Sequence, residues 1–258
     1  MLYLRYFNNG ISVGSGAEVE LPNVAYLDDK NILFIGGDEG NAVVKYNSSR
    51  DKIEVSSFDG YDCVDLGLPS GILWAKWNVG ATGETDYGLY FSWGGTTGYA
   101  YQSTAKTFGW GDYELGDGGS GPNNMTKYNS TDELMELELV DDAAHINMGG
   151  HWRMPNTAQL QELIDNTTNE WVADYNSSGK SGRLFRSISN GNTLFFPAAG
   201  FCNNGNWSNA NSDGFVWSRL RDAYAPGTNC LNFKSESVSI PTQIKRSGGR
   251  SVRGIVIP

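Results

Sequence analysis

Few residues in this chain of 258 could do chemistry by themselves. His145 and His151 are its two histidines, in "DDAAH" and "GGHWRMP". Neither spacing matches a metal-binding pattern, so both are expected to be structural. Asp141 and Asp142 could hold calcium with loop carbonyls, but two adjacent acids fit a helix-terminal role better. Arg153, before Met154-Pro155, is expected to make structural hydrogen bonds. Cys63, Cys202 and Cys230 form no C-x-x-C pair, which argues against zinc and thioredoxin-like chemistry. Cys202 and Cys230 can pair only if their loops meet. The glycines include no P-loop or dinucleotide fingerprint. No cofactor or metal is expected, and no catalytic set stands out.

The chemistry that does stand out is that of contact. "FCNNGNWSNANSDGFVW" (201–217) mixes five asparagines with two tryptophans and two phenylalanines. Asparagine competes for backbone hydrogen bonds and favours turns, whereas large aromatics carry apolar area that normally seeks burial. Rigid rings, arginines and adaptable amides together suit a binding surface. The candidate contacts are Phe201, Asn203, Asn204, Trp207, Asn209, Asp213, Phe215, Arg219, Arg221, Tyr224, Asn229, Cys230 and Asn232. "SVSIPTQIKRSGG" (237–249) adds Ser239, Thr242, Gln243, Ile244 and Lys245, which share no periodicity. Alanine at Trp207, Phe215 and Tyr224 is expected to remove binding while leaving the melting temperature nearly unchanged.

Such a surface needs a frame. Residues 1–58 read as a small β domain, an adaptor or mount, with strands over 17–27, 31–37 and 41–49 joined in part by Asp28-Asp29-Lys30. Residues 59–258 read as one larger domain, with the candidate contacts gathered at about 201–248, the region that the resemblance below implies is variable. Leu66, Leu68, Ile72, Trp74 and Trp77 supply core material, with Trp152 and Trp217 also inside. Residues 98–128 read as a long ordered loop. One helix is expected within 130–148, chiefly at 139–147. A second follows Asn156, with Gln159 completing a capping box and Leu160, Leu163 and Ile164 at helical spacing. Strands are expected at 192–200, 214–218, 230–233, 237–240 and 250–257.

Net charge of −10 and a pI near 4.7 argue against nucleic acid and anionic membranes as partners. "MLYLRYFNNGISVGSG" reads as no signal peptide, and no apolar run reaches membrane-spanning length.

Six ordered blocks carry a resemblance: "YDCVDLGLPSGILWAKWNVGA", "YGLYFSWG", "LELVDDAAHINMGGHWRMPNTAQLQELID", "NGNTLFFPAAG", "GFVWS" and "SVRGIV". Together they resemble the major paralogous domain family of Fibrobacter and Bacteroides-type bacteria, and the variable proteins of diversity-generating retroelements. The resemblance implies an α+β, C-type lectin-like fold of mixed twisted β-sheets, two helices and long loops, preceded by the small β domain. It implies a ligand-binding protein rather than an enzyme, whose C-terminal surface is rewritten at template asparagine codons. Asn203, Asn204, Asn206, Asn209, Asn211, Asn229 and Asn232 would then be template positions, and Trp207, Phe215, Arg219, Arg221, Tyr224 and Cys230 rewritten ones. The expected setting is a phage tail or a bacterial surface, and the expected partner a bacterial surface protein or glycan, with residues 1–58 serving oligomerisation or virion attachment. A fixed lectin-like adhesin domain is the alternative. A formylglycine-generating-type enzyme using Cys202 and Cys230 ranks third.

Overall fold

The computed structural model describes residues 2–7, 10–15, 24–27, 32–37, 40–47, 52–122, 124–223 and 226–257. The N-terminal segment forms β1 (Leu2–Phe7), β2 (Gly10–Ser15), β3 (Val24–Leu27), β4 (Ile32–Gly37), β5 (Gly40–Asn47) and β6 (Lys52–Phe58). That is six strands where three were expected; residues 16–23 and the Asp28-Asp29-Lys30 connection lie outside the described residues. β1 and β2 pair as a hairpin, and β3 to β6 form an antiparallel meander. The meander continues through residue 58 into β7 (Tyr61–Asp65) and β8 (Leu73–Ala75). Asp59 and Gly60 make the turn between β6 and β7, with φ of 43° and 83°. This is the left-handed pair that a two-residue hairpin needs and that Asp-Gly supplies.

A short strand, β9 (Tyr90–Phe91), precedes the long loop, and the two α-helices are α1 (Ala143–Met148) and α2 (Thr157–Asp165). Of the helix expected chiefly at 139–147, α1 covers only the later part: Leu139–Asp141 is a single 3-10 turn, and residues 130–138 are not helical. The Asp132 carboxylate accepts from the backbone N–H groups of Tyr128, Asn129 and Leu134, which knots this stretch into turns. Asp142 caps α1 through the N–H groups of Ala144 and His145, the helix-terminal role expected for this acid pair. Asn156 and Gln159 close a reciprocal box at the start of α2, which buries Leu160 and Leu163. Asn156→Ala is expected to cost about 1 kcal/mol of unfolding free energy, read from the urea midpoint at unchanged m-value.

β10 (Thr167–Val172), β11 (Gly182–Ser187) and β12 (Thr193–Pro197) form a three-stranded antiparallel sheet, of which only the last strand was expected. Then come β13 (Phe201–Asn203), β14 (Asn206–Ser208), β15 (Asp213–Arg221), β16 (Gly227–Lys234), β17 (Ser237–Ser239), β18 (Ile244–Lys245), β19 (Arg250–Ser251) and β20 (Ile255–Val256). β13 and β14 are a separate hairpin. The central sheet runs β17-β16-β15-β19-β9, with β18 also on β16. β20 returns to pair with β8, tying the C-terminal segment to the meander.

Alternation along β15 and β16 sets the core. Val216, Leu231 and Phe233 face α2, β11 and β12, packing with Leu160, Leu163, Phe185 and Phe196. Trp217 and Cys230 face the other way, against Phe91, Trp93, Tyr128, Met154 and Val252. Trp74, Trp152 and Trp217 are fully buried. Trp77 is only half-buried.

The architecture corrects the expected α+β, C-type lectin-like fold. The described residues are predominantly β, in five sheets, and the two α-helices span only 6 and 9 residues. The physical reason is partly local and partly tertiary: Asp132 ties residues 128–134 into turns, and Met135 and Leu137 exchange backbone hydrogen bonds with Arg221 and Arg219 of β15, so this stretch adds no helix.

Candidate functional site

The hairpin β13–β14 turns at Asn204-Gly205, with φ of 50° and 78°. Its register pairs Cys202 with Trp207, and Phe201 with Ser208. Side chains alternate across a strand, so Cys202 and Trp207 share one face and Phe201, Asn203, Asn206 and Ser208 the other. The first face points inward. Trp207 meets Tyr90, Tyr101 and Phe108 edge-on, at centroid distances of 4.8, 5.2 and 6.1 Å. The second face is outward and continues onto the central sheet.

That continuation is built contact by contact. Phe201 meets Phe215 edge-on at 5.3 Å. Phe215 lies opposite Asn232 across the β15–β16 ladder, and Asn232 lies opposite Ser239 on β17. On the other side of the hairpin, Lys245 Nζ donates to Asn203 Oδ1 at 2.8 Å and Asn204 Oδ1 at 3.0 Å. It stands 5.6 Å from the Trp110 ring. Trp110 belongs to a loop held by Asp112, whose carboxylate accepts from Thr107 N, Thr107 Oγ1 and Gly109 N. The hairpin docks on that loop through Gly205 N donating to Thr107 O at 2.6 Å. Thr242 and Gln243 are exposed on the turn into β18, and Ile244 is half-buried against the cluster that holds Trp217 and Cys230.

Below this face lies Arg250, 7% exposed. Its guanidinium sits 4.6 Å from the Trp217 ring and 5.5 Å from those of Phe201 and Phe215. Burial pushes the Arg250 pKa down to about 10, and burial followed by the Arg250 charge lowers that of Lys245. For Asp112, burial opposes ionisation, but hydrogen bonds from Thr107 and Gly109 and the Lys106 charge outweigh it and hold the carboxyl low.

Phe201, Asn203, Asn204, Phe215, Asn232, Ser239, Thr242, Gln243, Ile244 and Lys245 are thus at least partly exposed around one region of the surface. The structure moves five other candidates off it. Trp207 is half-buried, its ring packed on the inner side of the hairpin against Tyr90, Tyr101 and Phe108. Arg219 is committed elsewhere, donating to Glu136, Met154 O and Gln159. Arg221 is buried and donates to the Leu134 and Asn129 carbonyls. Asn229 is buried and donates to Leu220 O. Cys230 is fully buried beside Trp217. Tyr224 lies outside the described residues. Asn209 and Asp213 pair with each other at 2.7 Å in the turn leading to β15.

Several asparagines have jobs that need no diversification. Asn204, Asn209 and Asn211 all adopt positive φ, which asparagine tolerates better than most residues. Asn211 also accepts from Tyr87 OH and Ser181 N.

The three cysteines are free thiols, all buried. Burial raises the pKa of each, that of Cys230 to about 11. Arg153 donates to Leu137 O and Asp142, as expected for a structural arginine. Both histidines, Arg153, Gln159 and Arg219 line a separate surface cavity of about 370 Å³. Among the described residues no group of three or more His, Cys, Asp or Glu is placed to hold a metal. No helix among them is long and apolar enough to cross a membrane.

No protein-family model, curated protein or solved structure matches this chain. The site therefore stands on its geometry. Trp110 and Arg250 were not among the candidates. Trp110 sits in a glycine-rich loop without periodicity, and Arg250 looks in sequence like an ordinary solvated charge.

Proposed function

We propose that this chain is a ligand-binding protein that presents the Phe201–Phe215–Asn232–Ser239 strip and the adjoining Lys245 as its contact surface. The observation that carries this reading is the alternation within β13 to β17. Phe215, Asn232 and Ser239 share a ladder face with the buried Trp217 and Cys230, but past the covered end of that face they stay partly exposed, next to the outward face of the β13–β14 hairpin. Residues there can change without loss of the fold, because exposed substitutions usually alter stability by under about 0.5 kcal/mol. The proposed setting is a phage tail or bacterial surface, and the partner a bacterial surface protein or glycan.

Bulk added at exposed positions tests the surface. Ser239→Tyr combined with Thr242→Trp is expected to weaken retention on target cells at least tenfold, with the melting temperature within about 2 °C of the parent. Unchanged retention would place the site elsewhere.

Retroelement diversification belongs to the same proposal, restricted to the exposed positions. Sequencing the 3′ third of the gene across its source population is expected to show substitutions at the codons for Asn203, Phe215, Asn232, Ser239 and Lys245, sparing Trp217, Phe233 and Val252. A second reading is a fixed surface-binding domain. It is favoured by the turn roles of Asn204, Asn209 and Asn211, and a uniform 3′ third would select it.

A further inference from the structure

The contact face has an electrostatic character opposite to that of the chain around it. The whole protein carries −10, and of the seven Lys and Arg in residues 201–258, Arg219, Arg221, Arg246 and Arg253 are committed away from the face. Two of the others, Lys245 and Arg250, meet at the face, and no carboxylate among the described residues lies within ion-pair distance of either. The Lys245 ammonium has three hydrogens to donate. Its two partners among the described residues are the neutral amide oxygens of Asn203 and Asn204, which leaves one N–H for a visitor. Arg250 is more unusual. It donates from Nη1 to the Lys245 carbonyl at 3.3 Å, but its buried Nε has no partner among the described residues. A buried cation with an unused donor and no counter-ion is costly, and a negative group at the face would relieve that cost. Asp112 does not serve, because its carboxylate is already turned onto Thr107 and Gly109.

Resting on the ligand-display reading, we infer that the face takes an acidic saccharide. The sugar's carboxylate or sulfate is received by Lys245 in the field of Arg250, and its ring lies against Phe201, Phe215 and Trp110. The neighbouring groups favour a sugar over an acidic peptide. Asn232 and Ser239 stand opposite each other across β16 and β17, and Asn203 lies beside Lys245; amides and a hydroxyl beside aromatic area suit a ring bearing hydroxyls. No open strand edge is needed for backbone pairing.

The test is the intact chain on an array of uronic-acid, sialylated, sulfated and neutral saccharides, alongside an array of acidic peptides. Binding is expected only to acidic saccharides. It is expected to fall at least tenfold in Lys245→Met, to be largely restored in Lys245→Arg, and to be lost when a uronate is methyl-esterified. Raising salt from 50 to 500 mM should weaken it severalfold, since exposed charges are screened. Near-UV circular dichroism checks that Lys245→Met keeps its fold. Equal binding to neutral sugars, Lys245→Met that binds like the parent, or Lys245-dependent binding to peptides alone would each overturn the acidic-saccharide assignment. The Ser239→Tyr/Thr242→Trp pair separates the two levels. If it blocks neutral or peptide binding, the display surface stands and the ligand class falls. If binding survives it, the surface itself is wrong.

Discussion

Arg253→Met is expected to leave little cooperatively folded protein, with an unfolding free energy lowered by about 3–5 kcal/mol. Arg253 is fully buried, and its guanidinium is a four-point clamp. Nε donates to Asn78 Oδ1 at 2.9 Å, Nη1 to the Ala75 and Lys76 carbonyls at 3.0 and 2.8 Å, and Nη2 to the Phe195 carbonyl at 3.1 Å. The plane also lies 4.3 Å from the Phe196 ring. One side chain between β19 and β20 thus ties the C-terminal end of β8 to β12. Methionine fills much of the same volume but leaves several acceptors unpaired, most of them buried. Against a typical total of about 5–15 kcal/mol this is a large fraction. Arg253→Lys keeps the charge but has three donors and no planar fork, so a loss of roughly half that size is expected. Urea unfolding of both variants checks this. A loss below about 1 kcal/mol for Arg253→Met would mean that the carbonyls find other partners and that Arg253 is no clamp.

Trp207→Ala is expected to be the next most damaging change, at about 2–4 kcal/mol. This reverses the expectation that Trp207 is a free contact residue whose loss spares the fold. Its ring closes a cluster with Tyr90, Tyr101 and Phe108, and Tyr90 itself donates to Ala199 O at 2.5 Å. Truncation leaves a void between the hairpin and the long loop. Trp207→Phe should recover more than half of the loss by keeping edge-on contacts. Thermal melting of the pair decides it: a shift under about 2 °C for Trp207→Ala would put the ring back among the contact residues. Phe215→Ala makes a useful contrast: Phe215 is half-buried at the margin of the Trp217 cluster and meets Phe201, and its loss is expected to cost less stability than that of Trp207 while weakening binding.

How much of this was legible depended on how local the cause was. The box at Asn156 and Gln159 is written within four residues, and α2 starts where it says. Asp59-Gly60 and Asn204-Gly205 likewise carry the two-residue hairpin signal in their own side chains. The buried roles of Trp74, Trp152 and Trp217 follow from size and apolarity. The 130–138 stretch was misleading because the Asp132 carboxylate ties up three backbone donors at 128–134 and residues 135–137 bond to β15, a partner far along the chain. The N-terminal strands β1 and β2 and the pair β10–β11 have mixed polar patterns that do not announce a strand.

The candidate surface divides along the same line. The sequence by itself determined its chemistry: asparagine, aromatic and cationic residues crowded into 201–248 on a strand-rich frame. Only the tertiary structure decided which of them face outward. Register in a β-ladder flips every side chain with a one-residue shift, so Phe201 and Trp207 are opposites for no reason that composition could reveal. Arg246, Arg250 and Arg253 make the same point. All three are buried, held by carbonyls and rings contributed from far along the chain, which no local pattern announces.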